Sequence, residues 1–202
     1  MAISIIRIMT AIALAGASVL GGTAASAPAA PSASSSAAPV AEAGNVVQVA
    51  LLDGKMTFQL PRDFVNQTRQ DANAQNTGVV VQLFANQAHS QAVGISEVRT
   101  VNGDANDTSD AAFNKMAQGA LSGLKTQFKN VKKTGQTQVV VSKHKFLRID
   151  AQQEMQGKAM LGTLLITPYI DRVVTIQVLS PVSGVGAHDA LVGGILGTLS
   201  FH

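Results

Sequence analysis

One short turn limits the fold more than any other feature of this chain. Asp53-Gly54 lies between two strand-like runs. A two-residue type I′ turn needs positive φ at both central positions, which Asp and Gly accept cheaply, and its twist suits an antiparallel hairpin. Beyond the turn, Lys55 to Leu60 alternates cleanly, with Met56, Phe58 and Leu60 on one side and Lys55, Thr57 and Gln59 on the other. That two-residue period is the mark of a strand with one buried face. Pro61 ends it, and Val46 to Leu52 is its partner. The folded part thus begins with an antiparallel hairpin whose apolar face needs a cover.

The rest of the pattern supplies the cover. Strands are expected near Val79 to Asn86 and Val93 to Val101, joined by a polar turn around His89. Asp63 to Thr77 and Asn102 to Asp107 read as loops. A helix starts at Thr108 or Ser109, either of which can cap it. Phe113, Met116, Ala117, Ala120, Leu121, Leu124 and Phe128 then recur at helical spacing and form a core stripe. Strands follow near Gln136 to Val141, Lys145 to Met155, Lys158 to Thr167 and Arg172 to Leu179. Pro181 to Gly186 breaks the pattern, and Ala187 to Leu196 reads as a second apolar helix before Leu199 and Phe201. Runs of strands punctuated by two helices predict an α+β fold, an antiparallel β-sheet with two packed helices.

Ahead of this domain, the chain changes character. Arg7 near the amino terminus, the apolar Ile8 to Leu20, and the small residues Gly21 to Ala27 read as an export signal. Small residues permit cleavage after Ala25 or Ala29. Counting from Ala2 to Gly22, the run also approaches a membrane-spanning length, so an uncleaved anchor is the alternative. Residues 1–27 are therefore assigned as signal or anchor, 28–44 as an Ala/Ser/Pro-rich disordered linker, and 45–202 as the domain. Leu20-Gly21-Gly22-Thr23 resembles the lipobox of bacterial lipoproteins with threonine in the cysteine's place, and threonine cannot form the thioether. The chain has no cysteine, which excludes disulfides, thiolate metal sites and a cysteine nucleophile. A net charge of +3 with no tryptophan and a single tyrosine does not indicate a nucleic-acid partner.

The run Leu51-Leu52-Asp53-Gly54-Lys55-Met56-Thr57-Phe58-Gln59-Leu60-Pro61 resembles the opening of the DcrB family of enterobacterial envelope proteins. Lys143-His144-Lys145 with Asp150, and Ile195, Thr198 and Leu199, resemble its central strand and its ending. The resemblance spans roughly Val46 to Phe201. It implies a PsbP-like fold and a periplasmic protein of envelope maintenance, tied in that family to phage adsorption or DNA entry. No catalytic residues come with it. Familiar members are lipoproteins, and Thr23 departs from that pattern.

A search for chemistry returns little. His89, His144, His188 and His202 stand in no metal-ligand spacing, and no Gly-x-Ser-x-Gly or phosphate loop occurs. His144 and Asp150 fall on one face of a strand with Arg148 between them, which would serve a hydrolase, or else form a solvated face. Asp104, Asp107 and Asp110 lack the full pattern of a calcium loop. Gly193 and Gly197 have the spacing for close packing on the sheet. Lys125, Lys129, Lys132, Lys133, Lys143 and Lys145 cluster without an intervening acid. Lys125 and Lys129 are expected on one helix face running into Lys132 and Lys133, an exposed group suited to an anionic surface. The expectation is a non-enzymatic periplasmic binding or scaffold protein without catalytic, cofactor or metal sites, held at the inner membrane if the signal is uncleaved. Its partner is an envelope protein, an anionic membrane surface or a second copy of the chain, and not nucleic acid. A chaperone-like module shielding apolar segments is the alternative, and it calls for an apolar concave sheet face.

Overall fold

The structure is a computed structural model that describes residues 42–43, 45–68, 79–100 and 106–202. The proposed signal, its cleavage sites, most of the linker and Asp104 lie outside the described residues. Strands β1 (Glu42–Ala43), β2 (Val46–Leu51), β3 (Met56–Pro61) and β11 (Ser200–Phe201) form a four-stranded sheet in that order. The larger sheet has seven strands in the order β4-β5-β6-β10-β9-β8-β7. These are β4 (Val65–Asn66), β5 (Val79–Asn86), β6 (Gln91–Arg99), β7 (Lys129–Val141), β8 (His144–Met155), β9 (Lys158–Tyr169) and β10 (Arg172–Pro181). All pairings are antiparallel. Helix α1 is Asp110–Gln127, capped by the Ser109 hydroxyl accepting from Ala112 N, and α2 is Val185–Thr198. The α+β class read from the sequence is the observed one.

Two cores sit on the two faces of the large sheet. On one face the small sheet and α2 enclose Phe58, Phe84, Ile95, Phe146, Leu165 and Ile195. On the other, α1 presses Phe113, Ala117 and Leu124 onto Leu147, Ile149 and Leu164. A strand buried on both faces loses its alternation. This is why Leu164, Leu165 and Ile166 on β9 are consecutive apolar residues, facing the two cores in turn. The α1 stripe is core, as its spacing implies.

The structure corrects several expectations, among them the loop expected from Asp63, which holds the short strand β4. The β2–β3 connection is not a two-residue turn: Leu51 pairs with Met56, and Leu52, Asp53 and Gly54 all take positive φ between them. Leu52 accepts a conformation costing about 1–2 kcal/mol because its side chain is locked in the first core. Glu42–Ala43 pair with Val46 and Val47, so the folded part reaches into the expected linker. β7 starts at Lys129, well before Gln136, and this ends α1 at Gln127. Gly193 and Gly197 are exposed and a Cβ on either would meet nothing within 4 Å, so they do not pack on the sheet.

Candidate functional site

The densest polar chemistry lies where α2 crosses β8, β9 and β10. Asp150 on β8 faces Thr163 on β9, which faces Val178 on β10, two residues before Ser180. The pleat turns Asp150, Thr163 and Ser180 to the face that α2 covers. His188 of α2 reaches down between them, with Nε2 2.9 Å from Thr163 Oγ1 and Nδ1 3.0 Å from Ser180 Oγ. Arg148 Nε lies 3.0 Å from both Asp150 oxygens, and Gln91 Nε2 lies 3.3 Å from Ser180 Oγ. Gly135, opposite Asp150, leaves the room: a Cβ there would stand 3.2 Å from Asp150 Oδ2.

The donors can be assigned in order. A carboxylate only accepts, so Thr163 donates to Asp150 Oδ1 at 2.6 Å. Thr163 must then accept from His188 Nε2–H. That leaves Nδ1 as the acceptor, to which Ser180 donates while accepting from Gln91. His188 is thus neutral, with its proton on Nε2. Burial pushes its pKa below the usual 6.5, the charges of Asp189 and Asp150 oppose that, and Arg148 adds to it.

A serine donating to an imidazole backed by a carboxylate has the parts of a nucleophile and its base. Here the threonine intervenes, and the serine has no access: Ser180 is 0% and His188 4% exposed. A cavity of about 500 Å³ lined by Met155, Lys158, Met160, Pro181 and Ser183 lies near the end of β10. Pro181 follows Ser180 along the strand, so their side chains take opposite faces. The polar chain fastens α2 to the sheet and presents no nucleophile to solvent. Sequence reading misses it because His188 and Ser180 belong to different elements. The available signal is a row of hydroxyls, Thr163 and Ser180, among apolar residues on one face of two buried strands.

The singled-out residues scatter. His144 stacks on Phe201 with ring centroids 3.8 Å apart and meets Tyr169 edge-on at 5.4 Å. From Asp150 it is about 20 Å away along the strand, so the His144–Asp150 hydrolase pair does not form. Arg148 binds Asp150, with Nε 3.0 Å from Oδ2. Asp107 accepts from Ser109 N at the start of α1, which lowers its pKa, and Asp110 accepts from Gln138 Nε2. Among the described residues no group of three potential ligands could hold a metal.

The lysines separate into two groups. Lys125 ends α1, while Lys129, Lys132 and Lys133 begin β7 opposite Glu154, Gln152 and Ala151. Lys129 therefore does not share a helix face with Lys125, contrary to the expectation from spacing. All four are exposed at one end of the large sheet. Lys143 sits in the β7–β8 turn at the other end, and Lys145 lies just after it on β8. Elsewhere, Arg172 binds the buried Glu97 at 2.7 Å and Asp53 of the small sheet's hairpin at 3.0 Å. Burial works against the Arg172 charge, but the bond and charge of Glu97, then Asp53 and Asp171, outweigh it and raise its pKa.

No family model matches this sequence, and no curated protein matches it. Solved structures do match. Cyanobacterial PsbP (CyanoP) from Synechocystis sp. PCC 6803 is 7% identical, with a TM-score of 0.55 over 83% of this chain and 98% of its own. The fold is PsbP/Mog1-like. A point mutant of the protein Mog1 aligns over 78% of this chain and 96% of its own, at 12% identity and a TM-score of 0.50. A chain from Bacteroides thetaiotaomicron VPI-5482 gives 12% identity and a TM-score of 0.52 over 77% of this chain. This chain spans about half of that one, 48%. At such identities what is shared is the fold.

Proposed function

We propose that this chain is an exported, periplasmic envelope protein of the DcrB type that acts by binding at a surface, not by turnover. The PsbP/Mog1-like fold agrees with the DcrB resemblance of Leu51 to Pro61. The serine–histidine chain is sealed beneath α2. The central strands have both faces occupied, so the concave apolar face that a chaperone-like module needs is filled by the molecule's own core. Among the described residues no helix is long and apolar enough to cross a membrane.

The observation that carries the reading is the exposed lysine end, Lys125, Lys129, Lys132 and Lys133. Each lysine near an anionic surface contributes about 1 kcal/mol, so together they support salt-sensitive association without a lipid anchor. The test uses protein recovered from the periplasmic fraction and sedimented with vesicles of anionic or neutral lipid. Binding to anionic vesicles at low salt, lost at high salt and in the variant with all four lysines changed to Gln, is expected. Equal binding to neutral vesicles, or none at low salt, overturns the surface contact. Recovery of the intact chain from the cytosol overturns the export.

A further inference from the structure

β7 is the outermost strand of the large sheet, and among the described residues nothing pairs with its free side. Such an edge offers a row of unpaired N–H and C=O groups, which proteins blunt with lysines, bulges or short length. The opposite edge, β4, is two residues long. β7 has thirteen, and only its first half is blunted. That half holds Lys129, Lys132 and Lys133, with register shifts between Lys129 and Lys132 and between Lys133 and Gly135. From Gln136 to Val141 the register against β8 is unbroken, with no charge and no proline, and Val140 is 67% exposed.

Two further features lie beside this stretch. A cavity of about 290 Å³ opens between β7 and the first half of α1, with the buried Phe113 and Leu147 in its wall. Gln136 and Gln138 reach across its rim to Asn114 at 3.2 Å and Asp110 at 2.7 Å. Positive charge lies at both ends of the stretch, Lys132 and Lys133 before it, and Lys143 in the turn after it with Lys145 on β8 opposite Val140. Asp110, the acid at the rim, is engaged by Gln138.

We propose that Gln136–Val141 accepts an extended segment of a partner protein as an added antiparallel strand, with acidic residues at both ends of that segment facing the lysines. In strand addition, main-chain bonds give affinity and pockets for alternate side chains give specificity. The cavity beside β7 is such a pocket. A second copy of this chain does not fit. Antiparallel self-pairing of Gln136–Val141 would bring Lys132 and Lys133 of one copy toward Lys143 in the β7–β8 turn of the other. Like charges brought together at both ends of such a pairing oppose it. This binding shares Lys132 and Lys133 with the lipid contact proposed above but does not rest on it, and its test contains no vesicles.

The probe is a short synthetic peptide of alternating valine and threonine with glutamates at both ends. It is compared with a lysine-ended version and with a version methylated on alternate backbone nitrogens. Binding is followed by fluorescence anisotropy and by amide hydrogen exchange of the full chain. The glutamate-ended peptide should slow exchange within Gln136–Val141, and the other two peptides should bind at least about tenfold more weakly. Changing Lys132, Lys133, Lys143 and Lys145 to Glu, with an unchanged melting temperature, should reverse the preference between glutamate and lysine ends. Absence of protection in Gln136–Val141, equal binding of the methylated peptide, or an unchanged charge preference in that variant would each overturn the proposal.

Discussion

At the scale of residues, the most consequential group is His188, whose role follows from two hydroxyls. As a neutral ring it accepts from Ser180 and donates to Thr163. Once protonated it has two donors, and Ser180 must turn to accept from it while still accepting from Gln91, leaving its own proton without the nitrogen it served. Burial already lowers the pKa of His188 in the folded state below the ordinary 6.5. The unfolded chain then binds more protons than the folded one over the interval between the two values, so stability rises with pH there. The contribution is complete above about 6.5 and is lost as the pH falls through the lowered folded value. Urea unfolding of the wild type should therefore show a midpoint that drops on acidification below neutrality. His188→Gln, which cannot titrate, should show a smaller drop. An equal drop in both proteins would remove His188 from the account. The carboxylate of this chain, Asp150, is legible in the sequence as a site candidate beside Arg148. The histidine is not, because a helix docked on a sheet supplies contacts that no spacing along one element encodes.

At the scale of elements, periodicity locates α1 and the strands β5, β8, β9 and β10 closely, and it misjudges elements whose residues answer to two neighbours. β7 is polar at its start because it is an edge strand with lysines and bulges, so Lys129 to Gly135 lacks the apolar alternation of a strand. The apolar character of α2 reveals the helix, but not the role of its glycines. Its core side carries His188, Leu191, Val192 and Ile195, and its exposed side carries Gly186, Gly193, Gly194 and Gly197. Close packing would have needed these glycines on the other side. Since a Cβ at 193, 194 or 197 meets nothing and none of them has positive φ, alanine fits there without strain. Gly193→Ala and Gly197→Ala should each stabilise the protein by about 0.5–1 kcal/mol, because glycine loses more backbone freedom on entering a helix. Denaturant midpoints check this. A loss of stability in either variant would place a partner or an unseen contact on that side of the helix.

At the scale of the whole molecule, the sequence indicates antiparallel sheet and two helices, while the division into two sheets and the burial of the large sheet on both faces come only with the structure. Alternation reports how many faces of a strand are buried, and says nothing of which sheet it joins. The join between the sheets is made partly by apolar contact and partly by Arg172 of β10, which binds Glu97 of β6 and reaches Asp53 in the β2–β3 hairpin. The two ion pairs should differ sharply in worth. Glu97 is 4% exposed, so removing its partner leaves a buried charge uncompensated, a loss of about 3 kcal/mol in comparable pairs. Asp53 is 74% exposed, and its pair with Arg172 lies in the range of surface bridges, below about 1 kcal/mol. Arg172→Met should therefore lower the unfolding midpoint strongly and Asp53→Asn hardly at all. Adding Glu97→Gln to Arg172→Met should recover part of the loss, since the second change removes the stranded charge. If Arg172→Met costs no more than Asp53→Asn, the buried Glu97 charge is compensated without Arg172. If the double variant is less stable than Arg172→Met, Glu97 has a partner other than Arg172.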